Sequence, residues 1–513
     1  MSGENEAKRQ RGSVDRISEL PEFILHHILS ILDTKEAGRV IVLSKRWHYA
    51  WSSIPVLDFR PLYLKEFRDR PYDYDDDTVE RFVGFIDKTL ERYFMRKYRI
   101  TKMYLELCKV DEKLKPLVDK WIMIAVQNQI QRLEIQINDL ENKYKLPEIL
   151  FCAKSLNYLK CEGAALPFYE TMELVSLEYL ILVPETVDDD MLQRIISSCP
   201  LVEIDISYYK CLTKISLPWM KKVNGGAESS GNGTMQSNLQ EYPLQKFVCR
   251  GFLGELSWPW SMNVIALRNL RKLEFNSVPI RDDIISELSY GLVVLESLVL
   301  SGCFMLECIN ISSNSLKRLE ISSNSELMKA TIDAPKLLEF LCICDVRTSL
   351  SLIRAVDHCN AQFVSSCSYS TTIWLVKLKK FLLETNFFKS LLIRFHFVLD
   401  SSEIAFKEDQ LRNAGTGVPY KLRELKLHGA SSRNLTESSL LAFLNGLFWC
   451  CRPDVLSIST KSQDVVAKLI LSILQEKAEC WKDPLKNVEV ESIEYPRLPS
   501  GLSVVLIRLR LSW

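Results

Sequence analysis

One spacing, apolar-x-x-apolar-x-apolar, returns along much of this chain and limits its fold more than any other feature. It occurs at Leu156 (LNYLKC), Leu177 (LEYLIL), Leu201 (LVEIDI), Leu270 (LRKLEF), Leu295 (LESLVL), Leu316 (LKRLEI) and Leu337 (LLEFLC). Leu156 and Leu177, Leu295 and Leu316, and Leu316 and Leu337 are each 21 residues apart. Leu177 and Leu201 are separated by 24 residues, Leu270 and Leu295 by 25. Chance could supply one or two such matches in so apolar a chain, but not seven with three equal intervals. A return every twenty-odd residues means stacked coils, each adding one strand to a parallel sheet and burying its leucines against the next coil.

The far side of each coil is also legible. Leu306-x-x-Ile309-x-Ile311 follows Leu295 by 11 residues, and Leu327-x-x-Ala330-x-Ile332 follows Leu316 by 11. Leu212-x-x-Ile215-x-Leu217 follows Leu201 in the same way. Such coils are expected to carry an extended segment on both sides and no helix. DDDMLQRIISSCP, ahead of Leu201, is long enough for a helix instead. The repeats are assigned to 130–346, with a flexible insertion at 223–242 around NGGAESSGNG, whose glycines and serines cannot pack. From Arg347 to Gly417 the period is lost, and Leu422-x-x-Leu425-x-Leu427 recovers it. Residues 347–513 are read as irregular repeats and a C-terminal cap.

The N-terminal part has a different texture. Residues 1–13 form a polar tail, expected to be disordered, whose KRQR run at 8–11 is read as solubilising, with nuclear import as the alternative. Pro21 suits the start of a helix, where a missing N–H costs nothing. Ile24, Leu25, Ile28, Leu29 and Leu32 then give one apolar helix face. Asp33 and Glu36 form a capping pair for a second helix, and Arg46, Trp47, Ala50 and Trp51 fall on a third. Three short helices cannot cover that much apolar surface, so part of it is expected to face the next domain or a partner. Residues 60–129 are expected to be a linker, with an acidic run at Asp73 and Asp75 to Asp77, and a helical entry to the repeats.

The run DRISELPEFILHHILSILDTKEAGRVIVLSKRWHYAWSSIPVLDF resembles the plant F-box, with Leu20-Pro21 near its start and LSKRW near its end. Gly38 departs from that pattern, where plant members usually carry Val; an interior helical Gly costs up to about 1 kcal/mol. The repeats, including Cys199-Pro200 just before a strand, are similar to those of plant F-box/leucine-rich-repeat proteins. The resemblance implies an α/β fold: a three-helix F-box at 14–59, then a leucine-rich-repeat solenoid with a curved parallel sheet and irregular repeats of about 21–26 residues. It implies docking on a Skp-type adaptor, and through it a cullin, by Leu20, Pro21, Ile28, Leu32, Val40, Leu43 and Trp47. The function implied is substrate recognition in a Skp–cullin–F-box ubiquitin ligase, by a subunit that is not itself an enzyme. A non-degradative scaffold and a small-molecule-sensing receptor remain the alternatives.

Composition narrows the chemistry. Lys plus Arg and Asp plus Glu both number 65, so no basic domain points to nucleic acid. No apolar run reaches the roughly 18 residues of a membrane span. The 15 cysteines lack CxxC pairing and none of the 6 histidines has zinc-ligand spacing, so no metal or cofactor is expected. A reducing compartment, nucleus or cytoplasm, is expected. Adjacent Cys450 and Cys451 are read as packing rather than redox chemistry. Function must then lie in surface recognition of a protein target not identified by the sequence. Residues between the leucines of each motif point outward on the concave face. Aromatic and Arg anchors dominate interfaces, which singles out Tyr158, Tyr179 and Arg318, with Glu320 beside the last. Tyr158 and Tyr179 are expected to stack on adjacent strands.

Overall fold

The computed structural model describes residues 19–31, 39–40, 42–60, 76–138, 144–183, 189–207, 220–222, 243–251, 260–262, 267–322, 326–344, 348–354, 359–367, 372–396, 418–430, 437–461, 470, 472, 485–494 and 504–513. The tail at 1–13, Leu32, Asp33, Glu36, Gly38, Asp73, Asp75, the motif at Leu212 and the insertion 223–242 lie outside them. The described residues fall into two compact units, one comprising those up to Lys221 together with 243–244, the other Lys222 and those from Gln245 onward.

In the first unit, helix α1 (Glu22–Ile31) opens on Pro21, whose carbonyl accepts from the amides of Ile24 at 2.9 Å and Leu25 at 3.2 Å. Helix α2 (Lys45–Ser52) opens on Ser44, whose hydroxyl accepts from the Trp47 amide at 3.4 Å. That serine, inside LSKRW, is an N-cap that satisfies an otherwise orphaned donor. Leu25 and Leu29 from α1 meet Trp47, Ala50 and Ile54 in a small core, with Leu20, Ile28, Val40, Trp51 and Val56 packed at its margin.

The chain then enters the sheet directly. Strand β1 (Val56–Phe59) pairs in parallel with β2 (Lys102–Leu107), and β2 with β3 (Arg132–Ile137). Residues 60–129 therefore hold more than a linker: between helices α3 (Asp76–Arg96) and α4 (Lys115–Gln127) runs a full strand of the sheet. The sheet continues in parallel through β4 (Tyr158–Glu162), β5 (Tyr179–Val183) and β6 (Glu203–Ser207). Each of these three starts two residues after its motif leucine. Helix α5 (Asp189–Ser198) stands where DDDMLQRIISSCP predicts a helix.

Two contacts tie the helices down. Asp87 of α3 accepts from Trp121 Nε1 and from Lys120 Nζ, both at 3.0 Å, while Lys120 also reaches Glu91 at 2.8 Å. The Tyr93 hydroxyl donates to the Ile54 carbonyl at 2.6 Å, fastening α3 to the N-terminal module. Burial lifts that phenol well above its usual range.

After two three-residue strands, β7 (Met220–Lys222) and β9 (Trp260–Met262), with β8 (Lys246–Arg250) between them in sequence, the second unit builds its own parallel sheet. Its order is β8, β10 (Lys272–Asn276), β11 (Ser297–Ser301), β13 (Arg318–Ser322), β15 (Glu339–Ile343), β17 (Asn360–Cys367), β18 (Ser390–His396), β19 (Tyr420–Ala430) and β20 (Cys451–Lys461). Strand β22 (Val504–Ser512) pairs antiparallel to β20, and β21 (Asn487–Glu494) antiparallel to β22. On the far side of the coils, β12 (Cys308–Ser312), β14 (Lys329–Asp333) and β16 (Ser349–Arg354) form a second parallel sheet, as the 11-residue offset predicts.

The change of coil type is built by one carboxylate. Asp282, first residue of helix α6 (Asp282–Gly291), accepts from the amides of Glu307 at 3.0 Å and Cys308 at 2.9 Å, where β12 begins. A helix end thereby supplies the acceptors that a neighbouring strand would have given. Asp282→Ala is expected to cost about 1.5 kcal/mol, as a lost hydrogen bond to a charged group does; a chemical-denaturation midpoint unchanged from wild type would show the contact to be idle.

The described residues between Arg347 and Gly417 keep the architecture although the sequence there loses the period. Strand register aligns Ala361 and Phe363 with Phe340 and Cys342, so alanine and phenylalanine stand where the motif carries leucines. Beyond them, helices α7 (Thr372–Thr385) and α8 (Glu437–Cys450) lengthen the coils. The phenylalanines Phe340, Phe363, Phe381, Phe387 and Phe388 form one ring cluster, with centroid separations from 4.4 Å for Phe363–Phe381 to 6.0 Å for Phe340–Phe387.

Candidate partner-binding surfaces

The N-terminal module has too few residues to hide its apolar side chains. Phe23 is 69% exposed, Ile31 71%, Val42 83% and Leu43 61%. Phe23 and Ile31 lie eight positions apart on α1, away from the Leu25/Leu29 face that meets the core. Of the residues expected to meet an adaptor, Pro21 and Leu43 are exposed, and Leu20, Ile28 and Val40 are half-buried. Trp47 is only 2% exposed, within the core, and its Nε1 has no hydrogen-bond partner among the described residues. Leu32 lies outside the described residues. Sequence reasoning missed Phe23, Ile31 and Val42. The usable signal was their apolar character at positions off the core stripe of a surface helix and its following loop.

The open face of the first unit's sheet is set by alternation. In β4, Leu159 and Cys161 are buried while Tyr158, Lys160 and Glu162 turn outward; β5 does the same with Tyr179 and Ile181 outside. Tyr158 and Tyr179 are register partners, their ring centroids 6.0 Å apart and tilted by 31°. On the other side the Arg132 guanidinium lies 3.7 Å from the Tyr158 ring centre. Arg132 is held there by Glu134, with Nη2 to carboxylate at 2.7 Å. Burial is the main cause that pushes the Tyr158 phenol above its usual range. The result is an ordered stack of Arg132, Tyr158 and Tyr179, with little side-chain entropy left to lose on contact.

Arg318 and Glu320 belong to the second unit, on the open face of β13, 3.6 Å apart, lining a concavity of about 740 Å³. Among the described residues no group of three or more His, Cys, Asp or Glu could hold a metal. Cys161, Cys308, Cys450 and Cys451 are all free thiols. Cys450 and Cys451 are both fully buried and donate to the carbonyls of Leu375 at 3.1 Å and Leu447 at 3.5 Å, a packing role. Burial pushes the thiols of Cys161 and Cys451 up to about 12. Under native alkylation at neutral pH, exposed Cys308 is therefore expected to react ahead of Cys161 and Cys451. Peptide mapping of the labelled protein checks this, and equal labelling would show that the coils open readily.

Comparison with known proteins gives these surfaces a setting. Residues 95–224 and 254–390, just over half of the chain, match the family described as the At1g61320/AtMIF1 LRR domain, and residues 17–59 match the F-box domain. The chain belongs to the F-box/leucine-rich-repeat family. Plant proteins of Arabidopsis thaliana are among its relatives. It is 33% identical over 192 residues to a putative F-box protein, At1g49610, covering 37% of this chain and 43% of that one. It is 30% identical over 197 residues to a putative F-box/LRR-repeat protein, At3g18150, covering 38% of each. An F-box/FBD/LRR-repeat protein, At5g56420, is 29% identical over 206 residues, 38% of this chain and 44% of that one. The chain thus matches about two fifths of the length of these relatives. F-box/LRR proteins generally act as substrate receptors of Skp–cullin–F-box ligases and are typically non-catalytic. No helix among the described residues is long and apolar enough to cross a membrane.

Proposed function

We propose that this chain is a substrate receptor: its F-box docks on a Skp-type adaptor, and the open faces of its repeat sheets hold a target protein for ubiquitination. The observation that carries the reading is the exposure of Phe23, Ile31, Val42 and Leu43 on a module of so few residues. Scattered apolar residues are ordinary on a surface, but four large ones on so small a unit mark a docking face. Leu20, Ile28 and Val40 pack at the margin of the core that Trp47 helps to fill between α1 and α2, and Pro21 is exposed. The chain's contribution is to hold a target beside a ligase scaffold.

The target-facing anchors are Tyr158 and Tyr179, with Arg318 and Glu320 on the second unit. Replacing both tyrosines by Ala removes the stacked platform while leaving the buried leucines of β4 and β5 in place. Target capture is expected to fall about tenfold or more, the size of an interface hot spot, with adaptor capture unchanged. The test is affinity capture from plant cells followed by half-life measurement. Proteins lost from the capture by the double variant should be stabilised when the chain is depleted. Capture without any stabilisation would leave a scaffold instead.

A further inference from the structure

We infer that the concavity on the second unit is a trough for an extended, carboxylate-rich segment of the target. The inference rests on the reading of the open sheet face as the target reader, and it names the chemistry that one part of that face accepts. Strand β11 presents Ser297 and Val299 to the concavity, whereas its neighbours carry Lys272, Glu274 and Asn276 on one side and Arg318 and Glu320 on the other. Small side chains in the middle strand leave a floor, and longer ones on the flanking strands make walls. Those walls stand two strand spacings apart, about 10 Å, which is room for one extended chain. The space enclosed is about 740 Å³.

Charge decides what fits. At the end where the strands begin, Arg271, Lys272, Lys317 and Arg318 gather around Glu296, while Glu274 and Glu320 line the concavity one step further along the flanking strands. The chain as a whole is neutral, with 65 cations and 65 anions, so this excess is local. Glu296 shows what the rim does to a carboxylate: Arg271 holds it at 2.8 Å and Lys317 at 3.1 Å. Those two cations keep its pKa below the usual carboxylate range. Lys272 makes no ion pair among the described residues, and the Arg318–Glu320 contact is long at 3.6 Å. Lys272 is thus available to an incoming carboxylate, and Arg318, held loosely by Glu320, faces it across the floor. A basic segment would meet this rim with like charge and be rejected.

The test uses the full chain bound to its adaptor and fluorescein-labelled dodecapeptides, alternating Glu-Ser, Lys-Ser or phosphoserine-Gly, read by fluorescence anisotropy at about 0.15 M salt, where loose surface attraction is screened. The Glu-Ser peptide should bind at least about tenfold more tightly than the Lys-Ser peptide. Lys272→Glu with Arg318→Glu should abolish that preference, and Ser297→Trp should weaken binding at least about tenfold by filling the floor. Lys160→Glu, on the first unit, should leave it unchanged. Equal binding of acidic and basic peptides, or binding indifferent to both trough variants, would overturn the inference, as would binding of the phosphoserine peptide alone. If target capture falls with Tyr158→Ala and Tyr179→Ala while the trough binds no acidic peptide, the receptor reading stands and this inference fails. If the trough binds the acidic peptide but no face variant alters target capture, the trough's preference for carboxylates stands, while the receptor reading fails and with it the assignment of that segment to a target.

Discussion

Val42→Asp combined with Leu43→Asp is expected to reduce adaptor capture by about a hundredfold or more. Two exposed apolar anchors at about 2 kcal/mol each, the threshold of a hot spot, would supply that loss. The same change should leave thermal stability nearly untouched, because both side chains already face water. Trp47→Ala makes the contrast. That ring lies in the module's core against Leu25, Leu29 and Ala50, so its removal should cost about 3–5 kcal/mol and melt the module. Both variants would lose the adaptor, one with the fold intact and one without it. Limited proteolysis of residues 19–60 separates the two. Undiminished capture by the Val42/Leu43 variant would remove the docking claim.

The largest effect on the repeats is expected at Phe388. Its ring lies 4.6 Å from Phe387, 5.4 Å from Phe363, 5.8 Å from Phe381 and 5.9 Å from Phe340. Phe388→Ala should cost about 3–5 kcal/mol, the range for emptying an aromatic site in a packed core. Exposed Phe94 is a suitable control, expected to change stability by no more than about 0.5 kcal/mol. Coils interact mainly with their neighbours, so the loss should be local. Hydrogen exchange should rise in β15, β17 and β18 and much less in β8 and β10. An even rise along the unit would show that it unfolds as one block.

These two sites also show what the sequence could disclose. The strand positions around Leu156, Leu177, Leu295 and Leu316 were readable because each coil repeats the same contacts at nearly the same length. Around Phe363 the same contacts persist with alanine and phenylalanine in the leucine positions. Volume is conserved there by the ring cluster rather than by residue type, and α7 and α8 stretch the interval. A search for leucines at a fixed period cannot see that. The F-box shows a second limit. LSKRW pointed to the right segment, but Leu43 and Trp47 within it face opposite ways, one to solvent and one to the core. That difference depends on where Ser44 starts α2, which spacing alone does not decide. The Tyr158–Tyr179 stack, by contrast, followed directly from a 21-residue interval and an alternating strand.

The antiparallel pair β21 and β22 has a consequence for how such a chain can change over evolutionary time. A parallel array of coils accepts another copy wherever one coil hands its strand to the next, because every junction presents the same backbone pattern. Reversal of direction at β22 ends that equivalence at one edge of the second unit. Duplications joined there would find no matching junction. The coils from β11 to β15 differ: they share one length, carry strands on both sides, and keep uniform register across β11, β13 and β15 and across β12 and β14. Gain or loss of a whole coil is thus cheapest in the middle of the unit, directly beside the trough. The surface proposed to read a target lies next to the part of the chain most easily lengthened or shortened.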